Sequence, residues 1–74
     1  MQDRRWWIIA VANENGYFPT PEQAAEVWTA LTPQTREHYE HNPRVATVRD
    51  SNIHFAVLMR TIEGVMAGKI KPQQ

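Results

Sequence analysis

Residues 53–68 read IHFAVLMRTIEGVMAG, and this stretch decides the fold class. Its apolar side chains recur at intervals of three and four residues, which places them on one face of an α-helix. The set is Phe55, Leu58, Met59, Ile62, Val65 and Met66. A strand is not favoured, because polar and apolar residues do not alternate here. We therefore predict a helix that begins near Ser51 or Asn52 and is capped by Gly68.

Prolines mark the starts of further short helices. Three pairs place an oxygen-bearing side chain directly before a proline: Thr20-Pro21, Thr32-Pro33 and Asn42-Pro43. Such an oxygen accepts a hydrogen bond from the first turn, and proline at the first helical position loses none. Gln23 has the spacing that completes a capping box with Thr20. The predicted elements are helices from Pro21 to Leu31 and from Pro33 to about His41, and one loose turn from Pro43 to Arg49.

The two helices that follow Thr20 and Thr32 differ in how much apolar surface they can bury. In the first of them, four side chains share one face: Ala24, Val27, Trp28 and Leu31. Helical periodicity of this kind marks the face that packs inward, so we expect Trp28 in the core. The next helix has almost no apolar stripe beyond Tyr39. We expect it to lie on the surface of the bundle.

The N-terminal run WWIIAVA, residues 6–12, is apolar throughout and follows Arg4 and Arg5. Neighbouring side chains diverge by about 100° on a helix and point to opposite faces of a strand. Trp6 and Trp7 therefore point in different directions on either backbone, and one ring is expected to meet a second molecule. Because Trp and Arg are enriched in interface hot spots, Arg4, Arg5, Trp6 and Trp7 are the predicted protein-contact residues. The alternative is a helix buried on all sides within the bundle.

A helix from about Asp3 to Asn15 is the favoured structure for this run. Gly16 is a natural left-handed cap, and two alanines lie within the run. A buried strand over residues 5–12 stays open, because short apolar runs are ambiguous by periodicity alone. The residues that follow, 17–19, are expected to form an apolar connector that folds back on the core.

Together these elements predict an all-α fold: a small bundle of about four short helices in a single domain over residues 1–70, with a frayed tail over 71–74. We expect the first and last helices to pack together and the helix of Trp28 to close the core. A core of this size stabilises a chain only marginally, since near ~70–80 residues it supplies about 3–5 kcal/mol. Association into a homodimer would add burial.

Charge and cysteine content limit the classes of function. Eight basic and eight acidic residues balance, yet the first 43 residues hold three basic and six acidic ones. This asymmetry suits a self-complementary dimer or a partner with one charged patch, although random scatter over a small surface gives the same counts. The chain has no cysteine, which suits a reducing cytoplasm. No apolar stretch reaches the ~18–20 residues of a membrane span.

Few residues carry ligand-like or catalytic chemistry. His38 and His41 are three residues apart and would need a further ligand such as His54 to hold zinc, so a solvated helix end is the favoured interpretation. Ser51 is the single serine and lies three residues before His54. Sequence proximity does not make a triad, and Ser51 is better explained as a helix cap. We predict no catalytic residue, metal or cofactor.

Nucleic-acid binding is the alternative function. The helices over 21–31 and 33–41 resemble a helix-turn-helix in outline, and the second would offer Gln34, Thr35 and Arg36 near its start. Arg44 and Arg49 would add phosphate contacts. Acidic residues on the same helix and the zero net charge oppose this interpretation, because phosphate contacts dominate affinity for DNA.

The sequence therefore favours a non-enzymatic protein-binding module that acts as an adaptor, regulator or stoichiometric inhibitor of a larger protein, in the cytoplasm and as a homodimer. The identity of the partner is not encoded in any motif. The alternative is a small dimeric helix-turn-helix-like transcriptional regulator.

Overall fold

The computed structural model describes residues 4–41 and 53–69, and every regular element within these two ranges is helical. The helices are α1 Arg4–Glu14, α2 Pro21–Ala30, α3 Pro33–His41 and α4 Ile53–Met66. The all-α prediction is confirmed, and residues 5–12 are helix and not strand. The turn predicted over 43–49 and the tail predicted over 71–74 lie outside the described residues. None of the described helices is long and apolar enough to cross a membrane.

The helix starts follow the predicted caps. At α2, Gln23 N donates to Thr20 Oγ1 over 3.1 Å, and Thr20 N donates to Gln23 Oε1 over 2.8 Å, which is a complete capping box. At α3, Thr35 N donates to Thr32 Oγ1 over 3.3 Å. The third predicted cap, Asn42, lies outside the described residues. Short polar side chains thus set where α2 and α3 begin.

The ends of α1 and α4 both close on a glycine in the left-handed region. Gly16 has φ 88°, and Tyr17 N donates to Ala12 O over 2.9 Å. This is the Schellman pattern, which satisfies carbonyls that lack a partner within the helix. Gly68, with φ 73°, closes α4 in the same way. The predicted glycine caps are confirmed.

The described helices bury one continuous apolar core. Its members are Ile8, Val11 and Ala12 of α1, Ala24 and Val27 of α2, Leu31 directly after it, Tyr39 of α3, and Phe55, Leu58, Ile62 and Val65 of α4. The predicted face of α4 is confirmed. The predicted pairing of the first and last helices is corrected in one respect: the backbones of α1 and α4 each approach α2 more closely than they approach each other, although both helices contribute to the core. Ala24 of α2 is fully buried, and so small a side chain allows close approach of neighbouring helices.

The connector between α1 and α2 folds back on the core only in part. Pro19 is buried and Tyr17 is half-buried, but the ring of Phe18 is 73% exposed. The expectation of an inward-facing connector is therefore wrong for Phe18. Tyr17 and Pro19 take the inward positions of the connector, which leaves the ring of Phe18 facing solvent.

Candidate protein-contact site

Helix α1 turns its two neighbouring tryptophans in different directions. The indole of Trp6 is 61% exposed, whereas Trp7 is half-buried and packs against the core. Ala10, one turn after Trp6, is also exposed. The predicted divergence of the two rings is confirmed, and the alternative of a first helix buried on all sides is wrong. One face of α1 is left for solvent or for another molecule.

Trp7 joins three helices through aromatic contacts. Its ring meets Trp28 of α2 edge-on, with centroids 6.3 Å apart and planes at 87°. On α3, its ring lies 5.1 Å from that of Tyr39, tilted by 49°. Tyr39 is only 1% exposed and is thus fully part of the core. Trp28, expected inside the core, is instead half-buried and packs against the edge of the core, where its ring meets that of Trp7.

Arg4 belongs to this aromatic cluster. Its guanidinium carbon lies 6.0 Å from the ring centroid of Trp7 and 5.6 Å from that of Trp28. Its Nη2 donates to the backbone oxygen of Glu40 over 3.3 Å. The predicted contact set therefore divides in two. Arg4 and Trp7 are half-buried, while Arg5 and Trp6 are exposed.

The structure separates the predicted nucleic-acid contacts of α3. Gln34 is exposed and Arg36 is half-buried, with Nη1 donating to Thr29 O over 3.4 Å. Thr35 is only 1% exposed, and its hydroxyl lies 2.9 Å from His54 Nδ1. The expectation that Thr35 contacts a base is therefore corrected, since its side chain is enclosed between α3 and α4.

The remaining surface of α3 is acidic. Glu37 and Glu40 are exposed beside Gln34. Carboxylates on a surface repel phosphate, which is the main source of affinity for DNA. Arg44 and Arg49, the other predicted phosphate contacts, lie outside the described residues.

The three histidines do not converge on one point. The rings of His38 and His54 stack with centroids 4.3 Å apart and planes only 18° from parallel, while His41 is exposed. Imidazole binds a metal through a nitrogen in the plane of its ring. Two stacked, nearly parallel rings therefore do not share one metal ion. Among the residues described, no three His, Cys, Asp or Glu side chains form a group that could hold a metal. Ser51, predicted to be a helix cap, lies outside the described residues.

An open groove of about 600 Å³ follows the C-terminal half of α4 and was not predicted. Its lining includes Tyr17, Arg60, Glu63 and Lys69. The hydroxyl of Tyr17 donates to Glu63 Oε2 over 3.0 Å. This hydrogen bond, partial burial and the negative charge of Glu63 raise the pKa of Tyr17 above its usual 10.0. The two residues are 46 positions apart, so no local pattern signals their contact.

Comparisons with protein-family models, with curated proteins and with solved structures find no match for this chain. The function proposed for it therefore depends on the contacts and exposure of its own residues.

Proposed function

We propose that this chain is a non-enzymatic protein-binding module, an adaptor, regulator or stoichiometric inhibitor of a larger protein, with Trp6 at the centre of its contact surface. The observation that carries the proposal is that the Trp6 indole is 61% exposed, while the next residue, Trp7, packs against the core and holds this turn of the helix in place. Large aromatic rings gain most from leaving water, and Trp leads the residues found at interface hot spots. The cysteine-free sequence supports a cytoplasmic location for this activity.

The exposed face of α1 is shaped for a packed contact. Arg5, Trp6, Ala10 and Asn13 are exposed along it, with Ile9 half-buried at its margin. The small Ala10 lets a partner approach beside the Trp6 ring. Because Trp7 anchors the same helical turn, the backbone under Trp6 is already ordered before a partner arrives. Less conformational entropy is then lost on binding.

The proposal includes a homodimer in which a second copy covers Trp6. A two-fold interface uses the same patch on both subunits, so one exposed face suffices for two protomers. The benefit is largest for a chain with a small core, and this chain holds only 74 residues.

Sedimentation velocity of three proteins tests the role of Trp6: the wild type, Trp6→Ala and Phe18→Ala. Phe18 is the matched control, because its ring is 73% exposed and it lies beyond the opposite end of α1. We expect the wild type and Phe18→Ala to sediment as dimers. Trp6→Ala should sediment as a monomer with an unchanged far-UV circular dichroism spectrum.

Two results would contradict the proposal. A wild type that is monomeric at every concentration would remove the homodimer. A Trp6→Ala variant that dimerises as tightly as the wild type would remove Trp6 from the contact.

A dimeric helix-turn-helix-like transcriptional regulator stands second. It is favoured by the two-residue connection between α2 and α3, which leaves the exposed Gln34 in the first turn of α3. Its mobility shift on duplex DNA should be clear at low salt and fall steeply as salt rises. A protein-binding module should leave the same duplex unshifted at low salt.

A further inference from the structure

Trp7 and Trp28 form a corner of two aromatic walls that encloses a cation. Their rings stand at 87° to each other. The guanidinium carbon of Arg4 lies 6.0 Å from one centroid and 5.6 Å from the other. Both distances are within the range of about 6 Å at which a cation is attracted to the face of an aromatic ring. One positive group thus interacts with two indoles from two helices.

The C-terminal end of α3 adds a hydrogen-bond acceptor to this corner. Glu40 is the residue before the last of α3, and its backbone oxygen accepts from Arg4 Nη2 over 3.3 Å. Carbonyls of a final helical turn lack partners within the helix and form the negative end of its dipole. A guanidinium suits this combination, because its flat face lies against an aromatic ring while its N–H edge donates. A quaternary ammonium has no N–H to donate.

Arg4 is well placed to leave the site. It is the first residue of α1, where the backbone N–H has no acceptor within the helix, so unwinding there breaks little of the helix. The first core residue of α1, Ile8, comes one turn later. In addition, Arg4 Nη1 is buried without a hydrogen-bond partner among the described residues, so one donor of this guanidinium is unsatisfied and Arg4 is held less firmly than a fully bonded group would be.

We propose that the corner formed by Trp7 and Trp28 is a binding site for a guanidinium group, filled here by Arg4 and filled by an arginine of a partner protein when Arg4 withdraws. The identity of the incoming group as a protein side chain rests on the proposed function. The affinity of the corner for guanidinium does not.

The test uses the full chain with Arg4→Ala, which vacates the corner. The probe is ethylguanidinium at millimolar, non-denaturing concentration, and ethylurea is its neutral analogue. The three indole N–H signals are followed by NMR and assigned with Trp6→Phe. We expect saturable shifts of the Trp7 and Trp28 signals in Arg4→Ala and at least tenfold smaller shifts in the wild type. The chemical shift of the Trp6 signal should stay unchanged in both proteins. Arg5→Ala, which removes an arginine from the same helix but leaves the corner filled, should behave as the wild type.

Several outcomes would overturn the proposal. One is the absence of a saturable shift in Arg4→Ala, and another is an equal response to ethylurea. Tighter binding of tetramethylammonium than of ethylguanidinium would overturn the assignment to guanidinium. Arg4→Gln, which keeps good helix propensity, serves as the second vacated variant if Arg4→Ala unfolds. If both variants unfold, the corner cannot be vacated and the proposal is wrong.

The two proposals fail separately. A monomeric wild type whose Arg4→Ala variant binds ethylguanidinium contradicts the dimer and keeps the guanidinium site. A dimer that depends on Trp6, with an unresponsive corner in Arg4→Ala, keeps the contact surface and removes the guanidinium site.

Discussion

The ring centroids of Trp7 and Tyr39 lie 5.1 Å apart, and this contact joins the first turn of α1 to the last turn of α3. Tyr39 is almost fully enclosed, so this contact extends the core to the edge where Trp28 also packs. Trp6, the neighbour of Trp7, takes no part in the core. The two tryptophans should therefore differ sharply in what they contribute to stability.

Replacing Trp7 by alanine should lower the free energy of unfolding by about 3 kcal/mol, the low end for a buried aromatic ring, since Trp7 is only half-buried. Trp6→Ala should change it by less than about 0.5 kcal/mol, as is usual for an exposed position. Urea unfolding followed by circular dichroism, at a concentration where the protein is monomeric, measures both. Equal losses in the two variants would contradict the assignment of Trp7 to the fold and Trp6 to the surface.

The hydroxyl of Thr35 should contribute to the contact between α3 and α4. Thr35→Val keeps the shape of the side chain but removes the hydrogen bond to His54 Nδ1, and should lower the free energy of unfolding by about 1 kcal/mol. Thr29→Val is the matched control, because Thr29 is an exposed helical threonine on α2. A loss of the same size in both variants would show that replacing any helical threonine by valine causes the effect, and not the loss of this hydrogen bond.

Gly16 should be required for its backbone conformation and not for space. Its φ is 88°, and a Cβ built there meets nothing within 4 Å. Gly16→Ala should therefore lower stability by about 1–2 kcal/mol, the cost of left-handed backbone in an L-residue. Gly16→Asn should be milder, because asparagine also serves in this cap. Thermal unfolding compares the variants, and an alanine variant as stable as the wild type would contradict the expected strain.

The hydrogen bond from Tyr17 to Glu63 predicts a dependence on alkaline pH. Because the pKa of Tyr17 is raised in the folded chain above its usual 10.0, the neutral phenol is favoured by folding. The resulting stabilisation is fully present below that usual pKa and is lost as pH rises through the folded-state value.

Glu63→Gln should lower the pKa of Tyr17, which NMR titration of the Tyr17 ring measures. Glu22→Gln, at an exposed acid in the first turn of α2, is the control and should leave it unchanged. An unaltered titration in Glu63→Gln would rule out the carboxylate as the cause.

Local features of the sequence determined the helices. The capping box at Thr20 and the glycine caps involve residues within about one turn of each other, so backbone geometry alone relates them. The inward face of α4 follows from apolar residues spaced three and four apart, and the divergence of Trp6 and Trp7 follows from the angle between neighbouring helical residues. Periodicity left residues 5–12 open between helix and strand. They are helical, and the helix that contains them ends at Glu14 and is capped by Gly16.

Only the tertiary structure decided how these helices share their side chains. Arg4 lies against Trp28 across a helix pair, the hydroxyl of Thr35 meets His54, and α2 packs against both α1 and α4. No spacing in the sequence encodes these outcomes, because they depend on which helices pack together and at what angle. The secondary structure of this chain thus follows from local sequence, whereas the packing of α2 and α3 against α1 decides which of its side chains are buried and which are exposed.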